Sequence, residues 1–279
     1  MSSCPRASIL ARHAVTVRGQ GPRTLVLAHG FGCDQSAWSR LIPHFEADWR
    51  VVSFDHIGAG DSDLLAYDPD RHGSLYGHAQ DMLDIAQALA LEGAVLVGHS
   101  ASAMAGLLAT LQAPGRFSHL AMIGPSPRYL NEPALDGRPA YVGGFERPDL
   151  DEMFDLMEIN FEAFAQAMVP LALHQPQRPD LAQELGLSFG RMDPRIGRRW
   201  ARAIFLSDHR DALPRVAVPT LVLQCRDDAL APQPVAEMMV ARMPGSTLHM
   251  LPASGHFPHL SHADEVAAAL RDWLSRQGC

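Results

Sequence analysis

The chain has 279 residues, of which 47% are apolar and 19% are charged, and its formal net charge is −8. That length suits one large α/β domain or a domain with a sizeable insertion, and the balance is ordinary for a globular enzyme. Because the net charge is negative, the composition gives no support for a nucleic-acid partner or an anionic-membrane partner.

Two further features of the composition, apolar runs and cysteines, indicate where the protein works. Residues 1–15 lack the apolar core of a signal peptide, and no run reaches the roughly 18 apolar residues of a membrane-spanning helix. The cysteines are scattered and form no CxxC pair: Cys4, Cys33, Cys225 and Cys279. We therefore expect a reduced, cytoplasmic protein without membrane contact.

The first 125 residues alternate short β-branched runs with a helical pattern. The runs are VTV, TLVLAHG, RVVSFD and AVLVGHS, and the segment LYGHAQDMLDIAQALALEG before the last run has apolar residues at helical spacing. Strands that alternate with helices predict crossover units, and hence a mostly parallel sheet with helices on both faces.

Residues 126–214 contain no convincing strand. Loops rich in Pro and Gly come first, and three segments of helical character follow: 149–169, 178–190 and 194–207. The strand VPTLVLQCRDD then resumes the sheet pattern, followed by helix PVAEMMVARM, strand STLHMLP and helix HADEVAAALRDWLSR. We predict an α/β core of residues 1–125 and 215–279, with residues 126–214 inserted as a helical lid. A separate domain is the weaker interpretation because no flexible polar linker flanks the segment.

The strongest chemical signal is AVLVGHSASAM, residues 94–104. A buried strand leads into GHSAS, and a helix of small residues follows. A serine on such a tight strand-to-helix turn projects its hydroxyl from the edge of the sheet where open α/β sheets bind ligands. Ser100 is therefore the candidate nucleophile. Ser102 departs from the usual G-x-S-x-G pattern, although serine is still small enough for close packing, and the alternative is a structural turn with an incidental serine.

A serine hydroxyl needs a base to take its proton, and His256 is the best placed of the 14 histidines. It follows a short strand on a loop before the last helix, where the chain order Ser, acid, His puts the base. His259 and His262 raise the alternative of a metal site. That alternative is weak because no Cys or acidic residue is nearby and Pro258 interrupts helical phasing. We expect neither a metal nor another cofactor.

The acid should follow the strand LVLQC, where Asp227 and Asp228 are adjacent. In this arrangement the acid commonly lies four residues before a proline that opens the next helix, and Asp228 has that relation to Pro232. Its role is to hold His256 in the required tautomer and to stabilise the imidazolium. Asp227 is the second candidate, with a solvated loop carboxylate as its alternative interpretation.

An oxyanion needs two N–H donors, and the sequence offers two candidates. The first is the backbone N–H of Ala101, directly after Ser100, and the second is that of Phe31 in the loop AHGFG. Removing one such donor typically costs about 3–4 kcal/mol in the barrier. His29 and His99 end two strands beside the site, and we interpret them as positioning or pocket-lining residues.

Seven segments together resemble one family across nearly the whole chain. They are similar to the RsbQ-type α/β hydrolases, which include a bacterial stress-signalling hydrolase and the plant karrikin and strigolactone receptors, and whose elbow carries G-x-S-x-S. The segments are HGFGCDQSAW (29–38), FDHIGAGDSD (54–63), RHGSLYGHAQDMLDI (71–85), GHSASAM (98–104), MIGPSPRYLN (122–131), GGFERPDL (143–150) and GHFPHLS (255–261).

The resemblance implies an α/β-hydrolase core and four lid helices over a deep apolar pocket. It also implies Ser100, Asp228 and His256 as the triad, with Phe31 and Ala101 as oxyanion donors. Candidates for the pocket lining are Phe145, Phe161, Phe164, Met168 and Phe205, although such residues at helical spacing are as often ordinary core. One departure is the segment 132–142, which is longer than the usual connection and could alter the pocket mouth.

Three functions fit these residues. The first is an esterase or lactonase acting on a small apolar ester, with a butenolide-like lactone as a candidate substrate. The second is a signalling hydrolase or receptor that binds or slowly hydrolyses a small ligand and regulates a protein partner. Haloperoxidase-like or C–C bond hydrolase chemistry is third, because the resemblance to the RsbQ-type family extends over the lid.

Overall fold

The computed structural model describes residues 5–135 and 140–279, and within them seven strands form a single sheet. The strands are β1 Thr16–Arg18, β2 Arg23–Ala28, β3 Trp49–Phe54, β4 Ala94–His99, β5 Phe117–Ile123, β6 Thr220–Asp227 and β7 Ser246–Ser254. Their order is β1-β3-β2-β4-β5-β6-β7, and all neighbours are parallel except β1 with β3. The predicted class, a mostly parallel α/β sheet, is confirmed.

Helices cover both faces of this sheet. They are α1 Pro5–Arg12, α2 Pro69–His72, α3 Leu75–Ala88, α4 Ala101–Gln112, α5 Arg147–Ile159, α6 Phe161–Leu173, α7 Pro179–Gly190, α8 Pro194–Phe205, α9 Gln233–Arg242, α10 Pro258–Ser261 and α11 Ala263–Arg276. Along β2, alternate side chains enter two different cores, with Val26 on one face and Leu25 and Leu27 on the other. This double burial explains why the strands read as continuous apolar runs.

Helices α5 to α8 lie between β5 and β6 and form what we call the four-helix insertion. The sequence pattern predicts one helix over 149–169, and this prediction is wrong because the chain breaks at Asn160. Asn160 has extended backbone angles, and its side chain accepts a hydrogen bond from the N–H of Ala163 at 3.0 Å. Asparagine stabilises a helix start in this way, so a second helix begins where the apolar spacing alone runs on.

The unusual segment 132–142 is described at its two ends, and residues 136–139 lie outside the described residues. Glu132 and Tyr141 pair as an antiparallel bridge. Arg210 reaches both of them, with a 2.8 Å hydrogen bond to the Glu132 carboxylate and its guanidinium 4.8 Å from the Tyr141 ring centre. These contacts fasten both ends of the segment to the chain that leads into β6.

Among the described residues, no helix combines the length and the apolar character needed to cross a membrane.

Candidate active site

Ser100 lies between the end of β4 and the start of α4, at the carboxyl edge of the sheet. Its backbone has φ 55° and ψ −119°, a conformation that residues with a side chain rarely adopt. A side chain at Gly98 would place its Cβ 2.5 Å from the carbonyl oxygen of Ser102, so the turn requires glycine there. The small residues of the motif therefore allow a tight turn that carries Ser100 at its tip.

His256 and Asp228 form a buried pair beside this turn. The Nδ1 atom of His256 lies 2.8 Å from Oδ2 of Asp228, and the other carboxylate oxygen accepts hydrogen bonds from the N–H groups of Leu230 and Ala231 at 2.9 and 3.0 Å. Because Asp228 accepts the Nδ1 proton, the lone pair is on Nε2 of His256. That atom is buried and has no hydrogen-bond partner in the described chain, so it is available as a base.

The adjacent carboxylate has a different environment. Asp227 is exposed, and its Oδ2 accepts a hydrogen bond from the Ser254 hydroxyl at 3.0 Å. The structure therefore brings Asp228, and not Asp227, to the imidazole of His256.

Ser100 and His256 line one narrow cavity of about 30 Å³ between the sheet edge and the four-helix insertion. The remaining wall is apolar except for one phenol and consists of Phe31, Tyr129, Met168, Ala172, Phe189, Ile204, Phe205, Leu230 and Phe257. No Asp, Glu, Lys or Arg side chain lines it among the described residues, so it suits a small uncharged ligand.

The five aromatic and Met candidates from the sequence divide into two groups. Met168 and Phe205 line the cavity. Phe145 packs behind Phe205 with ring centres 5.6 Å apart, while Phe161 and Phe164 pack on each other at 5.8 Å and do not line it. Phe145 precedes α5 and lies on no helix. Apolar spacing identified the buried faces of α6 and α8, but it does not tell which buried residue faces an internal space.

His29 and His99 are fully buried and do not line the cavity, which corrects the pocket-lining part of their prediction. Nε2 of His99 donates to the backbone carbonyl of His256 at 2.8 Å. His29 bonds to the carbonyl of Gly30 and to the backbone N–H of His56. Both therefore hold backbone near the site, which is the positioning role that the sequence also suggested.

The two candidate oxyanion donors are free in the described chain. Neither the backbone N–H of Phe31 nor that of Ala101 donates a hydrogen bond to another described atom. Ala101 is the first residue of α4, directly after Ser100, and Phe31 lines the cavity. Such free donors beside a candidate nucleophile can bind a developing negative charge.

The loop of His256 is bonded directly to the four-helix insertion. The His256 N–H donates to the carbonyl of Ala172 at 2.7 Å, and Nε2 of Gln175 donates to the carbonyl of Ser254 at 2.9 Å. Gly255, between Ser254 and His256 in the chain, has φ +96°, and a Cβ there would lie 2.1 Å from a backbone oxygen of α6. The end of α6 therefore helps to set the position of the imidazole.

Tyr129 is a cavity residue that the sequence analysis missed. Its ring is buried against Phe205 at 4.8 Å, burial raises the pKa of its phenol, and the neighbouring Ser100 side chain opposes that rise. Tyr129 lies in the segment MIGPSPRYLN that follows β5. The available signal was an aromatic residue with a hydroxyl group shortly after a core strand. No periodicity marks a loop residue as facing a cavity.

The histidines after His256 pack without a metal cluster. Within residues 5–135 and 140–279, no group of three His, Cys, Asp or Glu side chains is arranged to hold a metal ion. His259 is fully buried with its ring 4.5 Å from that of Trp38, and Nδ1 of His262 lies 2.8 Å from the Ser261 hydroxyl.

The family model for the alpha/beta hydrolase family matches residues 25–269, so the chain belongs to the α/β hydrolase family. The parallel sheet, the turn at Ser100 and the buried pair of His256 and Asp228 are all typical of this class of protein.

The chain is also similar to three named proteins. The chain is 40% identical over 260 residues to a probable esterase of Oryza sativa subsp. japonica, covering 92% of this chain and 94% of that protein. It is 38% identical over 270 residues to "Strigolactone esterase D14" of Arabidopsis thaliana, covering 96% and 98%. It is 37% identical over 259 residues to "Karrikin insensitive 2 receptor CA" of Petunia hybrida, covering 92% and 94%.

A solved hydrolase structure from Oleispira antarctica matches with a TM-score of 0.93 at 34% identity, covering 99% of both chains. These comparisons confirm the predicted α/β hydrolase class and its likeness to esterases and plant receptors. The narrower RsbQ-type assignment stays a prediction.

Proposed function

We propose that this chain hydrolyses a small apolar ester or lactone with Ser100 as nucleophile, His256 as base and Asp228 as the orienting acid. One observation supports this proposal above the others. The free Nε2 of His256, held through Nδ1 by Asp228, belongs to a residue that lines the same cavity as the strained turn of Ser100.

The proposed reaction has two halves. Nε2 of His256 takes the hydroxyl proton while the Ser100 oxygen attacks the ester carbonyl, and the N–H groups of Phe31 and Ala101 bind the oxyanion. Collapse gives an acyl-serine, and the alcohol leaves with the proton from His256. Water then loses a proton to His256 and attacks the acyl group. Collapse of this second oxyanion releases the acid, and His256 returns the proton to the Ser100 oxygen.

The cavity supports a small, uncharged substrate. Its wall outside Ser100 and His256 is apolar except for Tyr129, so a charged substrate would lose hydration without a partner. A compact ester or a butenolide-like lactone has the matching polarity. We also propose that residues 126–214 act as the lid, because helices α6, α7 and α8 supply five of the lining residues.

The test is turnover of p-nitrophenyl acetate together with labelling by a fluorophosphonate. We expect hydrolysis and one label per chain in the natural protein, and loss of both in Ser100→Ala. Ser118→Ala is the matched control, since this half-buried serine on β5 bonds to the carbonyl of Gly93 away from the cavity. Absence of turnover and labelling in the natural protein, or their retention in Ser100→Ala, contradicts the proposal.

A second candidate is a signalling hydrolase or receptor of the RsbQ type, whose ligand state regulates a protein partner in the cytoplasm. The receptor name of a relative 37% identical over 92% of this chain favours it. A protein partner retained on the immobilised chain only when a butenolide is present, with Ser100→Ala altering that retention, supports this role. Retention of the partner that does not depend on the butenolide contradicts this receptor role.

A further inference from the structure

Ser102, two residues after the nucleophile, connects three buried segments. Its hydroxyl donates to the carbonyl of His29 after β2 at 2.5 Å, and it lies 2.8 Å from Nε2 of His56 after β3. The exposed fractions of these three residues are 1% or less. The usual glycine at this position of the elbow could form neither contact.

The three residues close a ring of hydrogen bonds in which every donor is determined. The carbonyl of His29 can only accept, so the single Ser102 proton goes there. Nε2 of His56 must then donate to the Ser102 oxygen, and the backbone N–H of His56 donates to Nε2 of His29 at 3.1 Å. Burial lowers the pKa of both imidazoles, so each side chain is neutral and carries one proton.

This ring of hydrogen bonds fixes the proton of His29 on Nδ1, which lies 2.9 Å from the carbonyl oxygen of Gly30 and donates to it. The carbonyl of Gly30 and the N–H of Phe31 belong to the same peptide unit. That unit is planar and trans, so the two groups point in opposite directions. Holding the Gly30 oxygen therefore sets the direction of the Phe31 N–H.

We infer that Ser102 is a positioning residue for the reaction, because its hydroxyl ties the nucleophile elbow to the loop that carries the Phe31 N–H. This inference rests on the proposed hydrolase function. Ser100 and the Phe31 amide act on the two ends of one carbonyl group, so their relative placement decides how well the oxyanion is bound. A link between their two segments keeps that placement constant.

The test compares Ser102→Ala and Ser102→Gly with the natural protein on p-nitrophenyl acetate. Loss of one oxyanion donor reduces kcat by about 100- to 1,000-fold, and a misdirected donor should cost less, about 10- to 100-fold. KM should stay within about threefold, because the cavity wall is unchanged. The affinity for a phenylboronic acid, whose tetrahedral serine adduct resembles the oxyanion, should fall by the same factor as kcat.

Thr110→Val is the matched control on the same helix. Thr110 is buried, its hydroxyl donates to the Leu107 carbonyl within its own helix, and its removal should change stability without changing kcat. A second route is His56→Asn, whose shorter side chain does not reach Ser102. In that background Ser102→Ala should cost much less than in the natural protein, because both changes break the same ring of hydrogen bonds.

The outcomes separate the two proposals. Natural kcat and boronic acid affinity in Ser102→Ala or Ser102→Gly overturn the positioning role while leaving the hydrolase proposal intact. A rise in KM at constant kcat overturns it as well. If the natural protein neither turns over the ester nor is labelled at Ser100, both proposals fall. Should the Ser102 variants not fold, an unchanged kcat in His56→Asn is the overturning result.

Discussion

Two adjacent carboxylates at the end of β6 offer the sharpest test at the scale of single residues. Asp228→Asn should lower kcat by about 10³- to 10⁴-fold, because an amide at this position no longer selects the Nδ1–H tautomer of His256 or stabilises its cation. Asp227→Asn should change kcat by less than about twofold, since that carboxylate is exposed and, among the described side chains, bonds only to Ser254. Steady-state hydrolysis of p-nitrophenyl acetate by the two variants measures the difference.

The pair is informative because the two changes are chemically identical. A large loss in Asp227→Asn with a small loss in Asp228→Asn would identify Asp227 as the working acid. That result would require the loop after β6 to rearrange, since the bonds from Leu230 and Ala231 now hold Asp228 in place.

The sequence could identify the three proposed triad residues because each one depends on the chain segment immediately around it. Ser100 needs small neighbours, Asp228 needs a nearby helix start, and His256 needs a loop before the last helix. The directions in which the His29 and Tyr129 side chains point could not be predicted. Each depends on side chains that come from distant parts of the chain.

Trp200 on α8 makes a prediction at the scale of elements. Its ring is 2% exposed, stacks on His78 at 4.8 Å and meets Phe31 edge-on at 5.6 Å, so it joins the insertion to the candidate oxyanion loop. Trp200→Ala should reduce the free energy of unfolding by about 3–5 kcal/mol. It should also lower kcat/KM, because the support behind Phe31 is lost.

Trp273→Ala is the control for this change. Trp273 is 1% exposed on α11 and belongs to the core on the opposite face of the sheet. Urea unfolding should show a similar loss of stability, whereas kcat/KM of the folded protein should stay near its natural value. Equal effects of both variants on kcat/KM would refute a specific role for α8 behind the loop.

The order of the elements along the chain was predictable, but their arrangement in space was only partly so. Runs such as AVLVGH are apolar at nearly every position because β4 is buried on both faces. A run of three residues does not indicate that β1 lies at the edge of the sheet, antiparallel to β3. The break at Asn160 was missed because the apolar spacing continues across it.

At the scale of the whole molecule, the burial of histidine stands out. Of the 14 histidines, eight in the described chain are 2% exposed or less: His13, His29, His56, His72, His78, His99, His256 and His259. For His78 and His259, burial lowers the pKa to about 3. Neither imidazole has a hydrogen-bond partner in the described chain, so both stay neutral over the ordinary pH range.

This burial predicts that stability falls with acidification. Below the ordinary pKa of 6.5, the unfolded chain binds a proton at each of these two residues while the folded chain does not, until pH approaches 3. Stability is therefore complete above pH 6.5 and is lost as pH falls. Each residue should remove about 2 kcal/mol from the free energy of unfolding between about pH 7.5 and pH 5.

Urea unfolding at several pH values measures this dependence. In His78→Phe, which keeps an aromatic side chain against Trp200, the uptake of protons on unfolding near about pH 5 should fall by about one. An unchanged pH dependence in that variant would mean that His78 binds its proton equally well in the folded chain.

The hydrogen bond from the His256 N–H to Ala172 has a consequence for protein engineering. Exchange of whole insertions between relatives is an obvious way to alter the range of accepted esters. Here a transplanted insertion also replaces the Ala172 carbonyl, which accepts the hydrogen bond from the His256 N–H. The backbone at the end of α6 must also pass Gly255 at the same close distance as in this chain. A working chimera should therefore inherit residues 172–175 and 254–256 from the same parent.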